Sequence, residues 1–205
     1  MTSNYIELLI ISGLAGYCIG SIPFGLVLTR LVGRKDIRKI GSGNIGATNV
    51  LRTGSKVLAL FTLILDGGKG ALITFLFIEF WGFEIGLIAG LTSVIGHNFP
   101  IWLKFIGGKG VATTLGVLIT VSWPLGILTC FFWLIVAMIS RYSSLAALVS
   151  LGIAPLVSLW HGMFEILVLT TIFFILSVVR HSENIKNLLR GDERKISFKG
   201  RSFKG

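Results

Sequence analysis

The stretch "KVLALFTLILDGGKGALITFLFIEF" (residues 56–80) decides the fold class. It is apolar over the length that a helix needs to cross a bilayer, about 20 residues. Yet Asp66 and Lys69 stand near its middle. Ionisable groups at hydrocarbon depth are costly and are usually paired or functional. The favoured reading is an internal ion pair that steadies a broken helix, with a substrate contact as the alternative.

The rest of the chain agrees with a membrane reading. Of its 205 residues, 53% are hydrophobic and only 14% are charged, where a soluble domain carries about 25% charged residues. Mean hydropathy is +0.86. The apolar residues fall into runs over 5–29, 56–80, 85–95, 111–122, 125–140, 145–160 and 163–179. These predict an all-α, polytopic membrane bundle of about seven spans, formed by one domain over 1–205. Several runs are shorter than a straight span requires, so tilt or re-entrant packing must make up the difference. The terminal "SFKGRSFKG", within a tail over about 196–205, reads as a flexible basic extension.

Net charge is +10, and its placement orients the chain. Arg34, Lys35, Arg38, Lys39, Arg52 and Lys56 fall in the first connection, Lys104 and Lys109 in the third, Arg141 in the fifth, and the remaining cluster in the tail. The alternate ends carry Glu7, Glu79, Glu84 and Glu165. With seven crossings every basic connection lies on one face. The positive-inside rule then puts the N-terminus outside and the C-terminus in the cytoplasm. No nucleic-acid-reading motif accompanies the charge, so lipid surfaces and phosphate ligands account for it.

Three polar, glycine-rich segments fall on that cytoplasmic face. In "GSGNIGATNVLRTGSK" (residues 41–56), the glycines permit tight turns and Ser42 or Asn44 can cap a short helix ending at Gly54. Glycines ahead of a helix N-terminus offer N–H groups to an anion. Thr48 and Arg52 are four apart and share a face. In "GHNFPIWLKFIGGKGVATT" (residues 96–114), Gly107, Gly108, Lys109 and Gly110 lead into an apolar helix. This is not a nucleotide P-loop, because Leu103 and Gly110 stand where that motif needs Gly and Ser or Thr. In "RHSENIKNLLRGDERK" (residues 180–195), His181, Asn184 and Leu188 share one helical face and Gly191 is a stop signal.

Missing features narrow the chemistry. Asp66 has no carboxylate neighbours to make a magnesium site, no His-x4-Asp pair occurs, and there is no Gly-x-Ser-x-Gly elbow. The reading therefore calls for no cofactor and no metal. The residues alone leave three classes: an enzyme acting on phosphate-bearing substrates, a transporter with broken helices aimed at an anion, or a structural membrane subunit, which leaves three polar, glycine-rich loops on one face unexplained.

Together, "GSGNIGATNVLRTG", "GHNFPIWLKFIGGKGVAT", "HSENIKNLLRGDERK" and "RYSSLAAL" resemble the acyl-phosphate-dependent glycerol-3-phosphate acyltransferase family of bacterial inner membranes. The departures are Ile106 and Asn187, where basic residues are common, and Asp192. The resemblance implies transfer of a fatty acyl group from acyl phosphate to the 1-hydroxyl of glycerol 3-phosphate, giving lysophosphatidic acid and phosphate. The implied partners are those two substrates and membrane lipids. His181, Ser42 and Arg52 are the implied catalytic residues. Ser42, Arg52, Lys104, His181 and Asn184 would hold glycerol 3-phosphate. Gly107, Gly108, Lys109 and Gly110, with Thr48 and Ser144, would hold the acyl phosphate; Asn44 and Asn49 complete the substrate-binding set. The two sets are interchangeable at this level, and His181 fits either a base or a binding role.

Overall fold

The computed structural model describes residues 2–34 and 36–196. Among them every regular element is helical: α1 (Thr2–Gly20), α2 (Phe24–Leu31), α3 (Ala47–Leu51), α4 (Lys56–Trp81), α5 (Phe83–Asn98), α6 (Val111–Val121), α7 (Trp123–Ser140), α8 (Ser143–Trp160), α9 (Phe164–Arg180) and α10 (Ser182–Arg190). The "SFKGRSFKG" tail lies outside the described residues.

Five helical segments are long and apolar enough to cross a membrane: Asn4–Leu31, Lys56–Trp81, Phe83–Leu103, Trp123–Ser140 and Ser143–Trp160. The pair α9 and α10, bent by 62°, makes a sixth if read as one span. The expected span over 111–122 is α6, which has only 11 residues. At 1.5 Å per residue it rises about 16 Å, short of a hydrocarbon core of about 30 Å.

The outer faces of the long helices are apolar, and the interior mixes apolar clusters with buried hydroxyl and charged groups. On α4, Leu60, Phe61, Ile64, Leu72 and Phe75 face outward. Its buried stripe is Ala59, Thr62, Asp66, Lys69, Gly70, Ile73, Thr74 and Phe77. Helices in lipid associate by close packing rather than by escape from water, so small residues gather at their contacts. A Cβ on Gly16 would meet the Ala89 carbonyl oxygen at 2.3 Å, and one on Gly20 that of Ser93 at 2.0 Å. That pair lets α1 and α5 touch backbone to backbone. Buried hydroxyls bond back along their own helices, as Thr74 does to the Gly70 carbonyl (2.7 Å) and Thr170 to that of Ile166 (2.7 Å). An unsatisfied hydroxyl there would carry its full desolvation cost.

Two expectations about breaks are corrected. The helix carrying Asp66 and Lys69 is continuous from Lys56 to Trp81, because its glycines still hydrogen-bond as helix. The break is in the first apolar run, at Ser21–Pro23 between α1 and α2. A proline donates no hydrogen bond and clashes with a preceding helical turn.

Candidate active site

The 36–55 loop is built around one amide. Asn49 is 2% exposed. The two protons on its Nδ2 are shared among the carbonyls of Ile37 (2.9 Å), Ile40 (3.0 Å) and Asn44 (2.7 Å). Its Oδ1 accepts from the Ser42 N–H (3.1 Å) and from Arg52 Nη1 (3.4 Å). Asn49 was expected among the groups that touch substrate. Its polar atoms are instead bonded within the loop.

The expected caps are corrected as well. Gly46 is the N-cap of α3 and no side chain bonds there. The turn that begins with Ser42 is fixed by Gly41 at φ 58°, in the left-handed region. A Cβ on Gly41 would meet Asn49 Oδ1 at 2.3 Å and Arg52 Cδ at 2.8 Å. Glycine at 41 therefore lets the loop close over the Arg52 side chain. Ser42 is exposed beside it, and Asn44 is half-buried. Thr48 turns to α8, with its hydroxyl 3.1 Å from that of Ser143.

The second loop is stitched from both sides. The N–H groups of Gly107 and Gly108 donate to the carbonyls of Asn98 (3.2 Å) and His97 (3.0 Å). Their own carbonyls accept from Arg180, Nη2 to Gly107 at 2.9 Å and Nε to Gly108 at 3.0 Å. Arg180 also lies over the Phe99 ring, 5.1 Å from its centroid. The expectation that Gly107 and Gly108 present free N–H groups to an anion is thus corrected. Gly110, at φ 75°, turns the chain into α6 directly after Lys109. The groups of this loop left to meet an anion are Lys109 and the positive end of that helix.

All three segments converge on α10 and the strand of chain behind it. Lys109 Nζ donates to Asn184 Oδ1. Asn184 Nδ2 donates to Glu193 Oε1 (2.7 Å), which also accepts from the Ser144 hydroxyl (2.8 Å). Arg194 reaches back to the Gly41 carbonyl. Burial, then the nearby Arg194 charge, lowers the Arg52 pKa, and Glu193 opposes this. Burial pushes that of Lys109 down to about 8, with Glu193 countering and Arg180 and Arg52 assisting.

His181 sits at the corner between α9 and α10 and is 2% exposed. Its Nδ1 lies 2.8 Å from the Ser177 carbonyl oxygen. That oxygen can only accept, so Nδ1 carries the proton and Nε2 keeps its lone pair. Burial first, and the Lys109 charge second, hold its pKa down to about 4. At neutral pH His181 is an uncharged acceptor.

Lys104 stands apart from this cluster. It is exposed and lines a separate depression of about 490 Å³ with Asp36, Arg38, Lys39, Trp102, Leu103 and Ile106. Its own backbone is left-handed, φ 53°, which turns it off the course of the 107–110 loop. Arg180, Glu193 and Arg194 were not singled out from sequence as site residues. The signal for Arg180 was present, since a base at the end of an apolar helix next to a His needs acceptors close by.

The model of the glycerol-3-phosphate acyltransferase family matches residues 10–191. The chain belongs to that family. The acyltransferase is 53% identical to the glycerol-3-phosphate acyltransferase of Rhodospirillum rubrum over 92% of this chain and 91% of the relative. It is 49% identical to that of Agrobacterium fabrum over 94% of both. Its fold matches crystal structures of PlsY, an integral membrane glycerol 3-phosphate acyltransferase. The glycerol 3-phosphate form superposes with a TM-score of 0.87 at 35% identity, covering 92% of this chain and 96% of that one. The lysophosphatidic acid form gives 0.86 at 34% identity. The acyltransferase is therefore a multi-pass helical membrane protein.

Proposed function

We propose that this acyltransferase moves a fatty acyl group from acyl phosphate to the 1-hydroxyl of glycerol 3-phosphate on the cytoplasmic face of the bacterial inner membrane. The observation that carries this is the meeting of Arg52, Lys109, Arg180 and Arg194 around Asn184 and Glu193. Such a cluster can hold two phosphates at once, and both proposed substrates carry one. The glycerol 3-phosphate and lysophosphatidic acid forms of the PlsY structures support the acceptor and the product.

In the proposed reaction the glycerol hydroxyl oxygen attacks the carbonyl carbon of the acyl phosphate. The carbon–oxygen bond to phosphate breaks, and phosphate leaves with the electron pair. The hydroxyl proton passes to a phosphate oxygen of the bound substrates or to His181 Nε2. An acyl phosphate is already activated, so orientation of two bound reactants supplies several kcal/mol of the barrier. The cationic groups stabilise the oxyanion as it forms. Arg52 offers a guanidinium fork to one phosphate, beside the exposed Ser42 hydroxyl. Lys109 and the N-terminal end of α6 take the other, with Asn184 as the shared hinge. Glu193 and Asn49 hold these groups in place.

The clustering of basic residues on one set of connections supports seven membrane segments, with the N-terminus outside. In that arrangement α6 is the seventh and starts below the face. The 107–110 loop is then recessed, and non-helical backbone at depth is tolerated because protein covers it. Gly108 and Gly110 are both buried. The test is made on protein purified in detergent. Phosphate release from acyl phosphate should require glycerol 3-phosphate and yield lysophosphatidic acid. Faster transfer from an acyl thioester than from acyl phosphate would overturn the donor assignment.

A further inference from the structure

Beneath the 107–110 loop lies a charged cluster that the proposed reaction does not use. The Lys69 ammonium is 2.7 Å from the Ile22 carbonyl oxygen, 2.9 Å from His97 Nδ1 and 3.1 Å from Asp66 Oδ1. An ammonium has three protons to donate and no acceptor; here it hydrogen-bonds Ile22 and His97 and pairs its charge with Asp66. Lys69 and Asp66 are buried, at 5% and 2% exposure, and His97 at 4%. Lys69 thereby ties the break in the first span, the middle of α4 and the end of α5 to one point.

His97 carries this point to the loop. Since Lys69 donates to Nδ1, the ring proton is on Nε2. That atom lies directly under Gly108, where an added Cβ would meet it at 2.0 Å. The His97 carbonyl accepts the Gly108 N–H, and that of the next residue accepts from Gly107. A Cβ on Gly107 would meet the His97 carbonyl oxygen at 2.3 Å. Ring and backbone of residue 97 thus form the floor on which the loop rests, and Lys109 is the next residue.

We propose that Asp66, Lys69 and His97 are positioning residues for the acyl transfer, which set the height of the 107–110 loop and so aim Lys109 at its phosphate. This rests on the reading of Lys109 as a phosphate ligand. A buried ion pair is by itself weak evidence of stabilisation, because its desolvation offsets its attraction. Removing one partner leaves an uncompensated charge, whereas removing both is often neutral. The contacts to Ile22 and His97 are lost whenever Lys69 is lost.

The two roles separate in the double variant Asp66→Asn with Lys69→Met. It should recover the melting transition that either single change lowers, yet keep a loss of kcat/KM of about 100-fold, the size expected when reacting groups are displaced by about 1 Å. The Lys109 titration is read without substrate from the pH dependence of amine labelling. It should move from about 8, since Glu193, Glu183, Arg180 and Arg52 would face a displaced amine. The core variant Phe173→Leu, which lowers stability elsewhere, should leave that titration in place. A folded double variant with wild-type kcat/KM, or with an unmoved Lys109 titration, overturns the proposal. Should the double variant not fold, Gly108→Ala lifts the loop off His97 with the ion pair intact, and wild-type kcat/KM in that variant overturns it equally. Because labelling needs no acyl donor, failure of the donor assignment would not mimic failure here.

Discussion

Arg180 holds Gly108 through a single fork. Its Nε bonds the Gly108 carbonyl at 3.0 Å while Nη2 reaches the adjacent Gly107 carbonyl at 2.9 Å. Lysine cannot span both oxygens in a fixed plane. Arg180→Lys should lose about 1.5–3 kcal/mol of charge-assisted bonding and lower kcat/KM by about 10-fold or more. Steady-state kinetics with both substrates varied will check this, and an unchanged kcat/KM would refute the clamp.

Arg52 tests the assignment of the first loop. Arg52→Ala should raise KM for glycerol 3-phosphate by about 10-fold or more, the loss of one charged hydrogen-bond donor, while KM for acyl phosphate stays near its starting value. If instead the acyl phosphate KM rises, the two phosphate sites are to be exchanged.

The depressed His181 pKa fixes where its titration appears. The neutral ring is the acceptor, and it persists as pH falls from 7 until about 4. His181 should therefore add no limb at the ordinary histidine value of about 6.5 to the pH profile of kcat/KM, beyond that of the substrate phosphate itself, which ionises at about 6. His181→Ala then separates its roles. A fall in kcat alone marks proton handling, and a rise in KM marks binding.

Lys109 predicts the opposite limb. Its amine is charged below about 8 and loses its proton as pH rises through that value. Affinity for the phosphate it holds should weaken above pH 8. The limb should vanish in Lys109→Met, which is measured as KM against pH in both proteins.

Asn49→Ala removes two amide N–H donors shared among three carbonyls, at about 1 kcal/mol each, so the loop should loosen by about 2 kcal/mol. Limited proteolysis between residues 36 and 55 should accelerate without substrate. An effect on KM with no change in proteolysis would return Asn49 to the substrate-touching group.

Much of this was legible in the sequence because lipid imposes simple rules. Apolar runs located the long helices, and Gly191 ended α10 as its position suggested, at φ 77°. The pairing of Asp66 with Lys69 followed from the cost of isolated charge in hydrocarbon. The interruption at Ser21–Pro23 had its signal in Pro23, but the run stays apolar across it, and the Ile22 carbonyl is satisfied by Lys69 from another helix. Hydrogen bonding also escaped the motif reading. A glycine-rich loop has the same letters whether its N–H groups face a ligand or, like those of Gly107 and Gly108, face the end of α5. The same limit hid Arg180, whose partners lie 72 and 73 residues away along the chain, and Glu193, whose partner Ser144 lies 49 away.

Ile196 stands where the sequence predicts a flexible tail to begin, yet it is 7% exposed and packs with Ala137 and Ala146. Its N–H donates to the Arg141 carbonyl at 2.7 Å, and Arg141 Nη2 returns a bond to its carbonyl at 3.2 Å. This knot keeps the chain bearing Glu193 and Arg194 from swinging away. An affinity handle for purification belongs downstream of residue 196; a deletion that reached it would untie Ser144 and Asn184 from their common carboxylate without altering a single membrane helix.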